Sequence, residues 1–236
     1  MQFMTLDRNA IIIAVIMGAI MLFTGGIFGP YFLLLMVYFV VVSGAVTYIK
    51  RGRKERMGLY QGLRGPRNVI ANGLMPLIFA IGAFTVYTTG HAFLLLAMVV
   101  GFASSVASVM ADKFSSEIGV LDGVPIELFS FKPVKKGKSG AVTPLGISAG
   151  FLGSFVVSIT VFALPAVGMA GAHAVFSGAG TGMIAAIVAL AGFVGTIVDS
   201  MFGYFEERGY GNKYSSNFIC SAIGGLLGVM LFVVMF

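Results

Sequence analysis

Three carboxylates stand at the ends of long apolar segments, where charged side chains are unusual. Asp112 and Glu117 follow an apolar stretch that ends at Ala111, and Asp199 lies near the end of a later one. Carboxylates close to lipid are costly unless they face a cavity, a cation or a partner. Mg²⁺ is usually held by one or two carboxylates together with substrate phosphates. These residues are therefore candidates for metal binding and catalysis.

Basic and small residues precede two other apolar segments. In both, a proline (Pro66 or Pro144) suits the first turn of a helix, and Thr143 suits the N-cap position. The free N–H groups and the positive dipole of such a helix start bind phosphate. The candidate phosphate-binding residues around these two starts are Arg64, Arg67, Asn68, Asn72, Lys138, Ser139, Gly140 and Thr143.

Structural explanations exist for each of these patterns. The stretch Gly137-Lys138-Ser139 lacks the earlier glycine of a P-loop, because position 132 is Lys132. Asn68 and Asn72 can form an interhelical hydrogen bond, and a stripe of serines before Asp112 (Ser104, Ser105 and Ser108) can join helices. Asp112 and Glu117 are five residues apart, so they reach one metal ion only if the helix frays there.

The composition indicates that membrane-spanning helices position these residues. The chain has 236 residues, of which 58% are hydrophobic and 10% charged, and its mean hydropathy is +0.99. A spanning helix needs about 20 apolar residues. Seven segments qualify, namely about 10–28, 31–49, 69–89, 92–111, 145–167, 180–202 and 218–236. We predict an all-α polytopic membrane bundle in which residues 1–236 form a single integral membrane domain.

The basic residues define an orientation. In a seven-helix threading, every Lys and Arg falls on one side of the membrane, and the positive-inside rule assigns that side to the cytoplasm. We therefore predict a multi-pass protein of the cell membrane with a cytoplasmic N-terminus. The carboxylates and the phosphate-binding residues lie on the same cytoplasmic side, next to the membrane lipids. Nothing in the sequence indicates a nucleic-acid partner.

Opposite kinds of helix end thus meet at one membrane face. Helix C-termini with carboxylates suit a divalent cation, and helix N-termini with basic residues and glycine suit phosphate. This arrangement is what phosphoryl or nucleotidyl transfer needs, since catalysis there depends on positioning and charge neutralisation.

Four stretches resemble the integral membrane phytyl-phosphate kinase family of plant vitamin E synthesis and its archaeal and bacterial relatives. They are Leu63-Arg64-Gly65-x-x-Asn68-x-x-Ala71-Asn72-Gly73, Ala111-Asp112-x-Phe114-x-Ser116-Glu117-Ile118-Gly119, Gly140-Ala141-Val142-Thr143-Pro144-Leu145-Gly146 and Gly195-x-x-x-Asp199-Ser200-x-x-Gly203. The resemblance implies transfer of a phosphoryl group from CTP, or another nucleoside triphosphate, to an isoprenyl monophosphate such as phytyl or geranylgeranyl phosphate.

Residue roles follow from this resemblance. Asp112, Glu117 and Asp199 would hold Mg²⁺ and orient the phosphates. The neutralising cations would be Arg64, Arg67, Lys113 and Lys138, with Asn68, Asn72, Ser116, Ser139, Gly140 and Thr143 in the same site. The isoprenyl tail would lie between glycine-lined helices. Two alternatives remain open, a CTP-dependent cytidylyltransferase that makes a CDP-lipid and an ion-coupled transporter with an aspartate cation site.

Overall fold

The computed structural model describes residues 5–167 and 178–236. The helices are α1 (Arg8–Thr24), α2 (Gly29–Tyr48), α3 (Arg51–Arg56), α4 (Pro66–Thr88), α5 (Ala92–Gly119), α6 (Pro144–Ser158), α7 (Gly178–Glu206) and α8 (Lys213–Met235). Two 3₁₀ segments, Gly26–Phe28 and Ile159–Val167, extend α2 and α6. A short antiparallel pair joins β1 (Ile126–Glu127) to β2 (Ala141–Val142).

The predicted all-α membrane bundle is confirmed. Among the described residues, six helices are long and apolar enough to cross a membrane, and α1 is a shorter apolar helix. With only 17 residues, α1 falls below the length of about 20 that a full span needs. The predicted segment 10–28 includes the 3₁₀ turn Gly26–Phe28, which already belongs to the next span. The basic helix α3 was not predicted.

Helix α5 is the centre of the bundle. It packs against α2, α4, α6, α7 and α8, and nearly every residue from its second turn to Ala111 is buried. Small side chains permit these close contacts. A Cβ atom added to Gly224 of α8, for example, would lie 2.6 Å from the Cβ of Ser108.

The serine stripe of α5 joins it to α8. Ser108 donates a hydrogen bond of 2.9 Å to the carbonyl oxygen of Cys220, and the hydroxyls of Ser105 and Ser221 are 2.7 Å apart. These serines therefore make interhelical contacts with α8.

We call one end of the bundle the basic face. Helices α2, α5 and α7 end there, and α1, α4, α6 and α8 begin there. The basic loops of the chain follow or precede these ends. The assignment of this face to the cytoplasm stays a prediction from the charge distribution.

Candidate functional site

Asp112 and Asp199 meet inside the basic face. Each lies seven residues before the end of its helix, which is Gly119 for α5 and Glu206 for α7. Their carboxyl groups are within side-chain hydrogen-bonding range of each other, and both line one polar cavity. The packing of α5 against α7 therefore brings together two aspartates that are far apart in the sequence.

The aspartate pair has the chemistry of a divalent-cation site. Oδ1 of Asp199 is buried and has no hydrogen-bond partner among the described residues. Two adjacent carboxylates repel each other unless a proton or a cation lies between them. Within the described part of the chain no three His, Cys, Asp or Glu side chains cluster as metal ligands. A Mg²⁺ ion here would complete its shell with water and substrate phosphate, as it usually does.

Glu117 does not join this pair. Helix α5 remains helical to Gly119, so the fraying that would turn Glu117 toward Asp112 does not occur. Its buried carboxylate instead accepts a hydrogen bond of 3.2 Å from Thr47 and pairs with three cations. These are Lys54 at 2.7 Å, Arg64 at 3.1 Å and Lys113 at 2.5 Å.

The polar cavity has a volume of about 280 Å³ and carries charges of both signs. Its walls are the ends of α5 and α7, the starts of α6 and α8, and the loops 57–65 and 120–143. The charged and hydroxyl residues that line it include Arg64, Asp112, Ser115, Ser116, Glu117, Lys138, Ser139, Asp199, Ser200, Glu206, Glu207, Lys213 and Ser216.

A second cavity of about 430 Å³ lies between α1, α2, α4 and α5, and most of its wall is apolar. Val15 and Val37 line it, yet their exposed fractions are 64% and 50%. The cavity therefore reaches the lipid-facing surface between α1 and α2. Its other apolar residues include Ile11, Met17, Leu22, Leu33, Met36, Phe39, Val40 and Val109.

The two cavities share one wall. The residues that line both are Arg64, Asp112, Ser116, Lys213 and Asn217, which we call the junction residues. Two of them are cationic, one is a carboxylate and two are neutral polar residues. An apolar chain in one cavity and a charged group in the other would thus meet beside Asp112.

Three asparagines connect α8 to α4 at the junction. The side-chain amide of Asn217 donates to Oδ1 of Asn72 at 2.9 Å, and the amide of Asn72 donates to Oδ1 of Asn68 at 3.2 Å. All three line the apolar cavity. Asn68 and Asn72 thus form the predicted contact on one helical face, and they also form the polar rim of the apolar cavity.

The loop before α6 is held on the end of α7. Ser139 donates its backbone N–H to Glu207 at 3.0 Å and its hydroxyl to Glu206 at 2.7 Å. Gly140 has φ +74°, and a Cβ atom there would lie 2.6 Å from the carbonyl oxygen of Ser200. Only glycine fits such a left-handed, close approach. In this arrangement the Ser139 amide already has a carboxylate partner.

Thr143 is the N-cap of α6, as predicted. Its hydroxyl accepts from the N–H of Gly146 at 3.0 Å and donates to the carbonyl oxygen of Gly119 at 3.2 Å. The hydroxyl proton is thus used to hold α6 against the end of α5. The structure therefore assigns Thr143 to local structure, although it lines the polar cavity.

Lys138 forms an ion pair within its own loop. Its ammonium group is 2.9 Å from Glu127, and Ser130 donates to the same carboxylate at 2.5 Å. The pKa of Glu127 is lowered below its usual value, mainly by the hydrogen bond from Ser130 and next by that from Lys138. The guanidinium group of Arg208 is 3.7 Å from the carboxylate of Glu127 and lies over the ring of Tyr204. Arg208 thus connects this cluster to the end of α7.

Glu127→Gln is expected to loosen this loop. Because the pKa of Glu127 is lowered in the folded protein, its stabilising contribution is complete above its usual pKa of about 4.3 and is lost as the pH falls through the lowered value. We expect lower hydrogen-exchange protection, relative to the intrinsic rate at each pH, in residues 126–142 of the variant at neutral pH, and in wild type only under strong acid. Asp122→Asn, an exposed change in the same loop, is the control. Equal exchange in both variants would contradict the role of Glu127.

Sequence reasoning missed three residues of the site. Lys54 is fully buried against Glu117. In the sequence, however, nothing distinguishes it from the other basic residues of its loop. Lys213 and Asn217 are four residues apart at the start of α8, so their shared helical face was a usable signal. Conversely, Arg67 is exposed and lies outside the residues that line the two cavities.

Comparisons with known proteins identify the family. The profile described as integral membrane protein DUF92 matches residues 1–227. An uncharacterized membrane protein of Methanocaldococcus jannaschii, MJ0933, is 30% identical over 96% of this chain and 86% of its own length. The chloroplastic protein VTE6 of Arabidopsis thaliana is 32% identical over 86% of this chain and 58% of its own length.

A second Arabidopsis thaliana protein, PGR, is 29% identical over 77% of this chain and 65% of its own length. The chain thus spans most of the archaeal relative and less than two thirds of each plant protein. No solved structure matches. These matches confirm the family resemblance that the four sequence stretches indicated, and the chain belongs to the integral membrane protein family DUF92.

Proposed function

We propose that this protein is a Mg²⁺-dependent kinase that transfers the terminal phosphoryl group of a nucleoside triphosphate to an isoprenyl monophosphate. The expected donor is CTP, and the expected acceptors are phytyl or geranylgeranyl phosphate. One observation carries the proposal: an apolar cavity open to lipid and a polar cavity with a carboxylate pair share the wall formed by the junction residues.

The apolar cavity suits the acceptor lipid. An isoprenyl chain lies in the bilayer and can enter between α1 and α2, where the cavity reaches the lipid surface. Its phosphate would then lie at the polar end, beside Arg64 and Lys213. This placement differs from the predicted one between glycine-lined helices, because the glycines of α6 pack directly against α5. A Cβ atom on Gly153, for instance, would lie 2.8 Å from the carbonyl oxygen of Met110.

The polar cavity suits the nucleotide. Asp112 and Asp199 would hold Mg²⁺, which when bound neutralises phosphate charge. Lys138 and Lys213 line the same cavity and would add positive charge around the phosphates. Catalysis of phosphoryl transfer depends mainly on such positioning and charge neutralisation.

The reaction itself needs no covalent intermediate on the protein. An oxygen of the acceptor phosphate attacks the terminal phosphorus of the donor, the bond to the bridging oxygen breaks, and the nucleoside diphosphate leaves with that oxygen. The acceptor oxygen is already ionised at neutral pH, so no side chain has to remove a proton. Arg64 and Lys213 at the junction would reduce the repulsion between the two anionic reactants.

Glu117 receives a new role in this proposal. It would position Arg64 and Lys113 instead of binding the metal ion, because its oxygens are paired with cations. Arg64 is further fixed through its backbone, which accepts from the N–H of Asp7 at 3.1 Å and donates to the carbonyl oxygen of Thr5 at 2.7 Å. Pre-positioned cations lose little freedom when a phosphate binds.

The direct test supplies purified protein with Mg²⁺, geranylgeranyl or phytyl phosphate, and CTP or ATP labelled in the γ-phosphate. Label in an isoprenyl diphosphate is the expected product, and the more efficient nucleotide identifies the donor. Omission of Mg²⁺ should remove the product. Release of pyrophosphate with cytidine joined to the lipid would instead establish a cytidylyltransferase. Absence of turnover with every acceptor would overturn the kinase proposal.

A further inference from the structure

We infer that Gly73, together with Met17 and Met36, forms a constriction that determines how long an isoprenyl tail the apolar cavity accepts. This inference rests on the proposed function, since it concerns the acceptor lipid of the same site. All three residues line the apolar cavity and come from three different helices, α4, α1 and α2.

Methionine side-chain atoms surround the position that a Cβ atom would occupy at Gly73. A Cβ atom added to Gly73 would lie 2.8 Å from the terminal methyl carbon of Met17 and 3.8 Å from that of Met36. The methionine side chains thus reach across the cavity toward the backbone of α4. The space that remains at this level depends on residue 73 being glycine.

The constriction lies partway along the cavity. Gly73 is five residues beyond Asn68 on α4, which is about 7.5 Å along the helix axis. On α1 the cavity lining continues from Met17 to Leu22, again about 7.5 Å. A short tail fits between the junction residues and the constriction, whereas a longer tail has to pass Met17 and Met36.

The bundle can tolerate a larger side chain at this position. The atom nearest to the new Cβ is the far end of a flexible methionine, which can change rotamer. The displaced methyl group can move into the apolar cavity, because Met17 lines it. A substitution at Gly73 should therefore narrow the cavity more than it disturbs the packing of α4.

The experiment measures binding without turnover. Detergent-purified wild type and Gly73→Val are heated with geranyl, farnesyl, geranylgeranyl or phytyl phosphate, without nucleotide, and affinity is taken from the ligand-dependent shift in melting temperature. We expect Gly73→Val to weaken geranylgeranyl and phytyl phosphate binding by about tenfold or more, with less than about a threefold change for geranyl phosphate.

Two further variants make the result specific. Gly182→Val is the matched control, because a Cβ atom there meets nothing within 4 Å and the residue does not line the cavity; it should bind all four lipids like wild type. Adding Met17→Ala to Gly73→Val should restore binding of the long tails by reopening the constriction.

Three outcomes separate the inference from the proposed function. Weaker binding of only the long-tailed phosphates by Gly73→Val, with binding restored by Met17→Ala, supports the inference. If wild type binds the isoprenyl phosphates and Gly73→Val weakens all of them equally or none of them, the inference alone is wrong. If wild type binds no isoprenyl phosphate, the proposed function is wrong and the inference fails with it.

Discussion

Asp199→Asn is expected to reduce the proposed phosphoryl transfer strongly and at the same time to stabilise the ligand-free protein. The carboxylate of Asp199 lies against that of Asp112 and leaves Oδ1 buried without a partner among the described residues. An amide removes the like-charge repulsion and can donate a hydrogen bond to Asp112. We expect a loss of at least about 10² in kcat and a gain of about 1 kcal/mol in unfolding free energy.

Both effects can be measured on the same preparation. The kinase assay reports the loss of activity, and thermal unfolding with and without Mg²⁺ reports stability. Mg²⁺ should raise the melting temperature of wild type but not that of Asp199→Asn, because only a protein that binds the ion is stabilised by it. Asp122→Asn, in the exposed part of the loop, should leave both measurements unchanged. A destabilised Asp199→Asn that retains its Mg²⁺ response would contradict the assignment of this aspartate.

Glu117→Gln is expected to be the most destabilising conservative substitution at the basic face. Glu117 is the shared anionic partner of Lys54, Arg64 and Lys113. Removal of one partner from a buried ion pair typically costs about 3–5 kcal/mol, because the remaining charge stays buried. Lys54 is fully buried, so it cannot regain water without local unfolding.

The Glu117 prediction is tested by thermal or denaturant unfolding in detergent. The matched control is Glu55→Gln, which breaks an exposed i, i+4 pair with Arg51 and should cost less than about 1 kcal/mol. Where the folded variant can be recovered, its Mg²⁺-dependent stabilisation should match that of wild type, because the oxygens of Glu117 are already paired with cations. Loss of that response with normal stability would instead show that Glu117 binds the metal ion.

The membrane architecture was predictable because hydrophobicity acts locally. Each span is a continuous run of apolar residues, so the chain alone identifies it. The helix starts at Pro66 and Pro144 and the N-cap at Thr143 also follow from local chemistry. The predicted first span, 10–28, extended past the end of α1, because the apolar run continues into the 3₁₀ turn Gly26–Phe28 without a charged residue to separate them.

The amino-acid sequence by itself determined the all-α membrane bundle, the gathering of charged residues at one face and the candidacy of Asp112 and Asp199. The partners of each charge were decided only by the tertiary structure. Glu117 was predicted to bind the metal ion only if α5 frays, yet it pairs with Lys54 because α5 remains a regular helix. The two cavities likewise exist only where helices leave space between them, and helical periodicity within one segment carries no information about that space.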